Sequence, residues 1–124
     1  MHSRAVIRID HWDSQLLTLE AESWTSHTIR PQANHTTLRG GVRTNREYFS
    51  DVCDALTNTH EVLVAGHHAV QRDFRQYIRS HRPSLEQRIV GWETVDEPTE
   101  GQLVALARTV FDKRDNIAGM SRRG

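Results

Sequence analysis

Glu61-Val62-Leu63-Val64-Ala65-Gly66-His67-His68-Ala69-Val70-Gln71-Arg72-Asp73-Phe74-Arg75-Gln76-Tyr77-Ile78 changes its hydrophobic period halfway along. Glu61 to Ala65 is a short apolar run closed by Gly66, which reads as a strand. Beyond His67-His68 the apolar residues Val70, Phe74, Tyr77 and Ile78 recur at the spacing of one helix face. Arg82-Pro83-Ser84 ends that helix, because proline has no N–H to continue it. A turn through Leu85 leads to a strand at Arg88 to Val95, then to the loop Asp96-Glu97-Pro98-Thr99. Thr99 and Gln102 match a capping box, and Leu103, Leu106, Ala107 and Val110 give the helix that follows. Strands alternating with helices require parallel pairing and right-handed crossovers.

Working outward, the first third of the chain reads as three strands. Ala5, Ile7 and Ile9 alternate with Val6, Arg8 and Asp10, the period of a half-buried strand. After the turn His11-Trp12-Asp13-Ser14, a second strand runs from Gln15 to Ala21, with Leu17, Leu19 and Ala21 on one face. Trp24 to Arg30 is a third, more polar strand. Such short links favour an antiparallel meander. Pro31 to Arg43, with Asn34, Thr36, Thr37, Gly40 and Gly41, reads as a mobile surface loop. Thr44 to Glu47 matches another capping box, and Phe49, Val52, Cys53 and Leu56 form one helix face behind it. The predicted fold is therefore a single α/β domain over residues 1–111. Its order is βββαβαβα, with a mixed central sheet and three covering helices. The polar residues 112–124 are expected to fray as a flexible tail.

The chain has 124 residues, enough for one domain with one modest core. Sixteen basic and sixteen acidic residues cancel, which excludes a generally polybasic nucleic-acid coat and an acidic tail. A basic patch is not excluded, because the charges are segregated. Arg30, Arg39, Arg43 and Arg46 lie in a stretch without acids, whereas Glu93, Asp96, Glu97 and Glu100 lie in one without bases. The single cysteine, Cys53, rules out an internal disulfide framework and a CxxC zinc ribbon. Arg8 and Asp10 interrupt any signal-peptide core near the start, and no apolar run approaches the ~20 residues of a membrane helix. A cytoplasmic protein is expected.

The stretches that carry chemistry each have a plainer competitor. At helical spacing Arg72, Arg75 and Arg79 project away from Val70, Phe74 and Ile78, and Arg82 prolongs the stripe. With Arg39, Arg43 and Arg46 they make a candidate RNA or partner footprint, since guanidinium groups bridge phosphate oxygens. The competing reading is a solvated helix face in a chain whose only lysine is Lys113. His67, His68, Asp96 and Glu97 fall at two strand-to-helix junctions, so two parallel neighbours would bring them to one sheet edge. No HExxH or similar ligand spacing accompanies them, adjacent histidines point apart, and a helix-opening turn beside an acidic capping loop is the better reading. His11, His27, His35, His60 and His81 are scattered. There is no nucleophile elbow, P-loop or dinucleotide fingerprint, and Cys53 on an apolar helix face reads as an inert core thiol. Trp12 in a turn is expected to be exposed and available to a partner, whereas Trp92 reads as core and Trp24 fits either face.

Arg88-Ile89-Val90-Gly91-Trp92-Glu93-Thr94-Val95-Asp96-Glu97-Pro98-Thr99-Glu100-Gly101-Gln102-Leu103 resembles the R-I-V-G-x-E-T-V-D-x-P-T-x-G-Q-L run of small bacterial translational machinery proteins. Those proteins are related to the third domain of the eukaryotic and archaeal class I peptide-chain release factor and of pelota. Glu61 to Gly66, Asp73-Phe74, Tyr77-Ile78 and Ala5 to His11 are similar to the same family, so the resemblance covers most of residues 5–111. It implies an α/β domain related to the kink-turn-binding ribosomal-protein fold, a tie to translation, and docking on a GTPase partner rather than peptide release. Two departures stand out. His67-His68 replace a Gly-Pro-Gly-like turn. Gly40-Gly41 are followed by Val42, not by the glutamine of a release loop.

The expected function is thus a non-enzymatic, translation-associated binding module without cofactor or metal. It would dock on the ribosome or structured RNA through Arg39, Arg43, Arg46, Arg72, Arg75, Arg79, Arg82 and Trp12. One alternative is a protein–protein docking domain for a translational GTPase without RNA affinity. Another is a small metal-dependent enzyme at His67, His68, Asp96 and Glu97. No membrane partner is expected, and exposed strand edges leave room for a homodimer.

Overall fold

The computed structural model describes residues 3–30 and 41–123, with the side chains of 41–45 and 118–123 left aside. β1 (Arg4–Ile9) is the middle strand of a five-stranded mixed sheet. On one side it pairs antiparallel with β2 (Ser14–Leu19), which pairs antiparallel with β3 (Trp24–Ile29), the expected meander. On the other side it pairs parallel with β4 (Glu61–Gly66), which pairs parallel with β5 (Ile89–Thr94). α1 (Gly41–Ala55) lies between β3 and β4 in the chain. α2 (His68–His81) and the one-turn α3 (Pro83–Glu86) lie between β4 and β5, and α4 (Glu100–Arg123) follows β5.

The centre of the sheet is buried on both faces, whereas the edge strand β3 is exposed up to Ile29. Ala5, Ile7 and Ile9 meet Phe49, Val52 and Cys53 of α1, Leu56 in the turn that follows it, and Val70, Phe74 and Ile78 of α2. Val6, Leu17, Leu63 and Ala65 meet Leu103, Val104, Ala107 and Phe111 of α4 on the other face. The half-buried pattern expected of the first strand is therefore corrected: as the central strand, β1 buries Val6 as well as Ala5 and Ile7. Likewise Leu16 of β2 joins the α1/α2 face while Leu17 faces α4.

Three helix ends depart from the sequence pattern. α1 begins at Gly41, so Thr44 lies inside it and is not its cap. A cap-like tetrapeptide sets a boundary only where the preceding residues refuse helical dihedrals, and Gly41-Val42-Arg43 accept them. Pro83 stops α2 as expected but at once opens α3, where proline suits the first position. α4 does not stop near Phe111 but runs to Arg123. Its polar extension is anchored by charge. Asp115 accepts two hydrogen bonds from Arg4, Arg114 donates to Glu61 at 3.3 Å, and Arg4 donates to Glu61 at 2.7 Å while lying over the Phe111 ring. The capping box at α4 is as expected: Gln102 N–H donates to Thr99 Oγ1 at 3.1 Å, and Thr99 N–H donates to Gln102 Oε1 at 2.8 Å. The Pro31 to Gly40 part of the expected loop lies outside the described residues.

Cys53 is buried, and that burial pushes its thiol up to about 11; burial likewise pushes the Tyr48 phenol up to about 12. Tyr48 donates to the Asp10 carbonyl at 2.9 Å and shares a hydrogen bond with the buried Ser14 hydroxyl. Both groups stay neutral in the folded chain at pH values where the unfolded chain ionises, so the unfolded state binds fewer protons there and stability falls as pH rises. The thermal midpoint should be insensitive to these groups below the ordinary thiol value of 9.0 and fall from there to about 12. Cys53→Ala should remove the earlier part of that fall relative to the parent. Superimposable alkaline limbs of the two melting profiles would refute the assignment.

Candidate functional site

α2 rests its apolar side on the sheet and turns a polar flank toward β5. Phe74 and Ile78 are fully buried, whereas Arg72, Arg75 and Arg79 are exposed, as the helical spacing predicts. Between that flank and β5 lies an open groove of about 570 Å3, lined by all three arginines together with Gln76, Trp92 and Thr94 among others, with no acid in its lining. Arg75 carries its guanidinium over the Trp92 indole, 5.4 Å from the ring centroid. Trp92 in turn meets Phe74 edge-on, at 6.3 Å and 63°. A cation is thereby laid on an aromatic face whose other contacts are core.

The remaining arginines are less free than their sequence suggests. Arg79 donates through Nε to Glu86 at 2.6 Å, and Arg72 lies 3.9 Å from its neighbour Asp73 while remaining 68 % exposed. Among the described residues Arg75 has no carboxylate partner. Arg82 does not prolong the stripe. It turns back to α1 and donates to Asp54 at 2.8 Å, which raises the pKa of its guanidinium, and it lies within 3.4 Å of Ser50. Its place after the last turn of α2 points it at the neighbouring helix rather than along the groove. Arg46 lines a different hollow, on the far flank of α2, with Phe49, Tyr77 and His81. Arg39 lies outside the described residues; Arg43 lies in α1, with its side chain outside them.

The two parallel junctions do meet at one sheet edge. Val95 N–H donates to the Gly66 carbonyl at 3.1 Å. Yet the four predicted residues do not converge. His67 and Glu97 share a polar hollow of about 280 Å3 with Arg8, Asp10 and Gln15, while His68 lines the α2–β5 groove instead. Asp96 lines neither. Adjacent residues at a helix start diverge by about 100°, which separates the two imidazoles. Among the described residues no three His, Cys, Asp or Glu side chains gather to hold a metal ion. Arg8 at the wall of the hollow is paired with Asp13 at 3.1 Å and Asp10 at 3.8 Å. Glu97 has a left-handed backbone, φ 43°, just before Pro98.

Trp12 stands in the β1–β2 turn, 81 % exposed, at the same sheet edge as the carboxyl ends of β4 and β5. Trp24 is spent on structure: its Nε1 donates to Glu100 at 3.0 Å, and Gln15 and Ser26 donate to that same carboxylate. Sequence reading missed Gln71. It is buried on α2, and its Nε2 donates to the Gly66 carbonyl at 2.6 Å and to the Glu93 carbonyl at 2.7 Å. A polar residue directly beside the apolar Val70 position was the one signal for it.

No family model matches the chain, and no curated protein matches it. Solved structures do. Pelota of Archaeoglobus fulgidus is similar with a TM-score of 0.67 at 16% identity, covering 97% of this chain and 35% of that protein. Pelota of Thermoplasma acidophilum is similar at a TM-score of 0.60 and 13% identity, over 82% of this chain and 30% of that one. An archaeal translation termination factor is similar at 0.59 and 11% identity, over 97% of this chain and 39% of the factor. At these identities the likeness establishes the fold: a single α/β domain with a mixed sheet like that in pelota and the termination factor. The chain spans about a third of the length of these proteins. Among the described residues no helix is long and apolar enough to cross a membrane.

Proposed function

We propose that the chain is a translation-associated binding module of the bacterial translational machinery type, acting without chemistry of its own. It docks on the ribosome or structured RNA through Arg72, Arg75 and Arg79, with Trp12 as a second contact at the adjoining sheet edge. The observation that carries this reading is the acid-free groove: three arginines along one helix flank, in a chain whose net charge is zero. Neutrality removes general attraction to polyanions, so whatever phosphate binding exists is confined to such a face. The fold likeness to translation proteins supports the choice of partner. A docking role for a translational GTPase is the competing assignment of the same fold.

Association with ribosomes at low salt is the expected result. Three phosphate contacts give a salt slope that weakens binding roughly 20–40-fold between 50 and 200 mM. Arg72→Glu/Arg75→Glu/Arg79→Glu should abolish co-sedimentation with its circular dichroism unchanged. Binding that ignores both salt and this triple reversal would overturn the reading. Nuclease-resistant co-purification with a GTPase would put the protein partner in its place.

A further inference from the structure

We infer that the α2–β5 groove seats a single unpaired nucleotide of a structured RNA. The base would lie on the Arg75 guanidinium and the flanking phosphates against Arg72 and Arg79. The inference rests on the RNA reading above and specifies which RNA feature is read. Three observations support it. First, the groove has a floor as well as charge. Arg75 is planar, lies over Trp92, and Trp92 is held edge-on by the fully buried Phe74, so the stack is preorganised from the core outward. Unstacked bases are bound on aromatic faces or on arginine planes in this way. Second, the cations bracket that floor, each contacting its neighbouring carboxylate, Asp73 for Arg72 and Glu86 for Arg79, through Nε. Arg72 and Arg79 stand three residues before and four residues after Arg75 on α2, roughly 4.5 and 6 Å along the axis. One base with a phosphate on either side fits that interval, whereas a continuous duplex keeps its bases inside and would meet only the outer arginines. Third, Gln76 and Thr94 line the same groove as neutral hydrogen-bonding groups that suit a base edge. The volume, about 570 Å3, lies within the ~300–1,000 Å3 of sites that take small organic ligands.

The test compares two labelled RNA hairpins by fluorescence anisotropy, identical except that one carries a single bulged nucleotide. The bulged hairpin should bind about tenfold tighter or more, the range that stacking of one base supports. Arg75→Ala should erase that preference and leave weak, salt-sensitive binding to both hairpins. Arg75→Lys keeps the charge but loses the plane, and should erase it as well. Arg72→Ala should weaken both hairpins alike and lower the salt slope by about one. Equal affinity of the parent for the two hairpins overturns the inference and leaves general RNA docking standing; no affinity for either overturns both. A free nucleoside monophosphate that binds as tightly as the bulged hairpin would overturn RNA as the source of the nucleotide.

Discussion

Gly66→Ala should leave the chain barely folded. Gly66 ends β4 with φ 146°, a region closed to residues with a Cβ, and a Cβ there would stand 2.3 Å from the Ile9 carbonyl oxygen. Backbone, not a side-chain tip, is what it would strike, so the clash can be relieved only by separating β4 from β1. Those strands form the parallel pair at the centre of the sheet, and Gly66 is the register partner of Ile9 itself. Strain of this kind together with lost pairing should cost about 3–5 kcal/mol. Folded domains retain only about 5–15 kcal/mol in total. Gly91→Ala is the matched control. Its Cβ would meet only the Leu63 Cδ1 methyl, at 3.2 Å, which a small rotamer adjustment relieves. Urea titrations of the two variants beside the parent should therefore separate widely. A Gly66→Ala midpoint no lower than that of Gly91→Ala would refute the account.

The second large effect is expected at Phe74→Ala. Phe74 is fully buried and touches Phe49 at 5.3 Å between ring centroids and Trp92 at 6.3 Å. Removing a buried phenyl ring costs about 3–5 kcal/mol, transfer and cavity together. For a chain of this size that is a fall of roughly 10–25 °C in the thermal midpoint. The loss also removes the support behind Trp92, so indole fluorescence should shift to the red before the main unfolding transition, in the variant only. A melting point within a few degrees of the parent would mean that α2 is not held by this ring.

What could be read without coordinates was what is local. The switch of period at Gly66, the reciprocal caps at Thr99 and Gln102, and the helix face Phe49, Val52, Cys53 and Leu56 are each written within a few residues of themselves. The parallel pairing of β4 with β5 followed from them. Several of the misses share one cause, a partner distant in sequence. Nothing near Arg82 announces Asp54, which lies 28 residues away. The run from Asp112 onward is polar by composition, yet Asp115 and Arg114 reach Arg4 and Glu61 on the sheet. The second buried face of β1 and β2 was hidden for the same reason, because half-buried alternation assumes that one face meets water. In the candidate site, the arginine stripe was legible as helical spacing. Its floor was not, because Trp92 and Arg75 belong to different elements.

Gln71 carries a consequence for strand register. A slip of one residue in a strand exchanges the side chains of its two faces, and the β4–β5 ladder already shifts between Val62 and Leu63. Slipped once more, β5 would carry Trp92 over to the α4 layer and present Gly91 or Glu93 to Arg75. The amide of Gln71 grips the carbonyls of Gly66 and Glu93 together, so the end of β5 is indexed from α2 as well as from its neighbouring strand. One buried amide thus helps to hold the indole on the α2 side of the sheet.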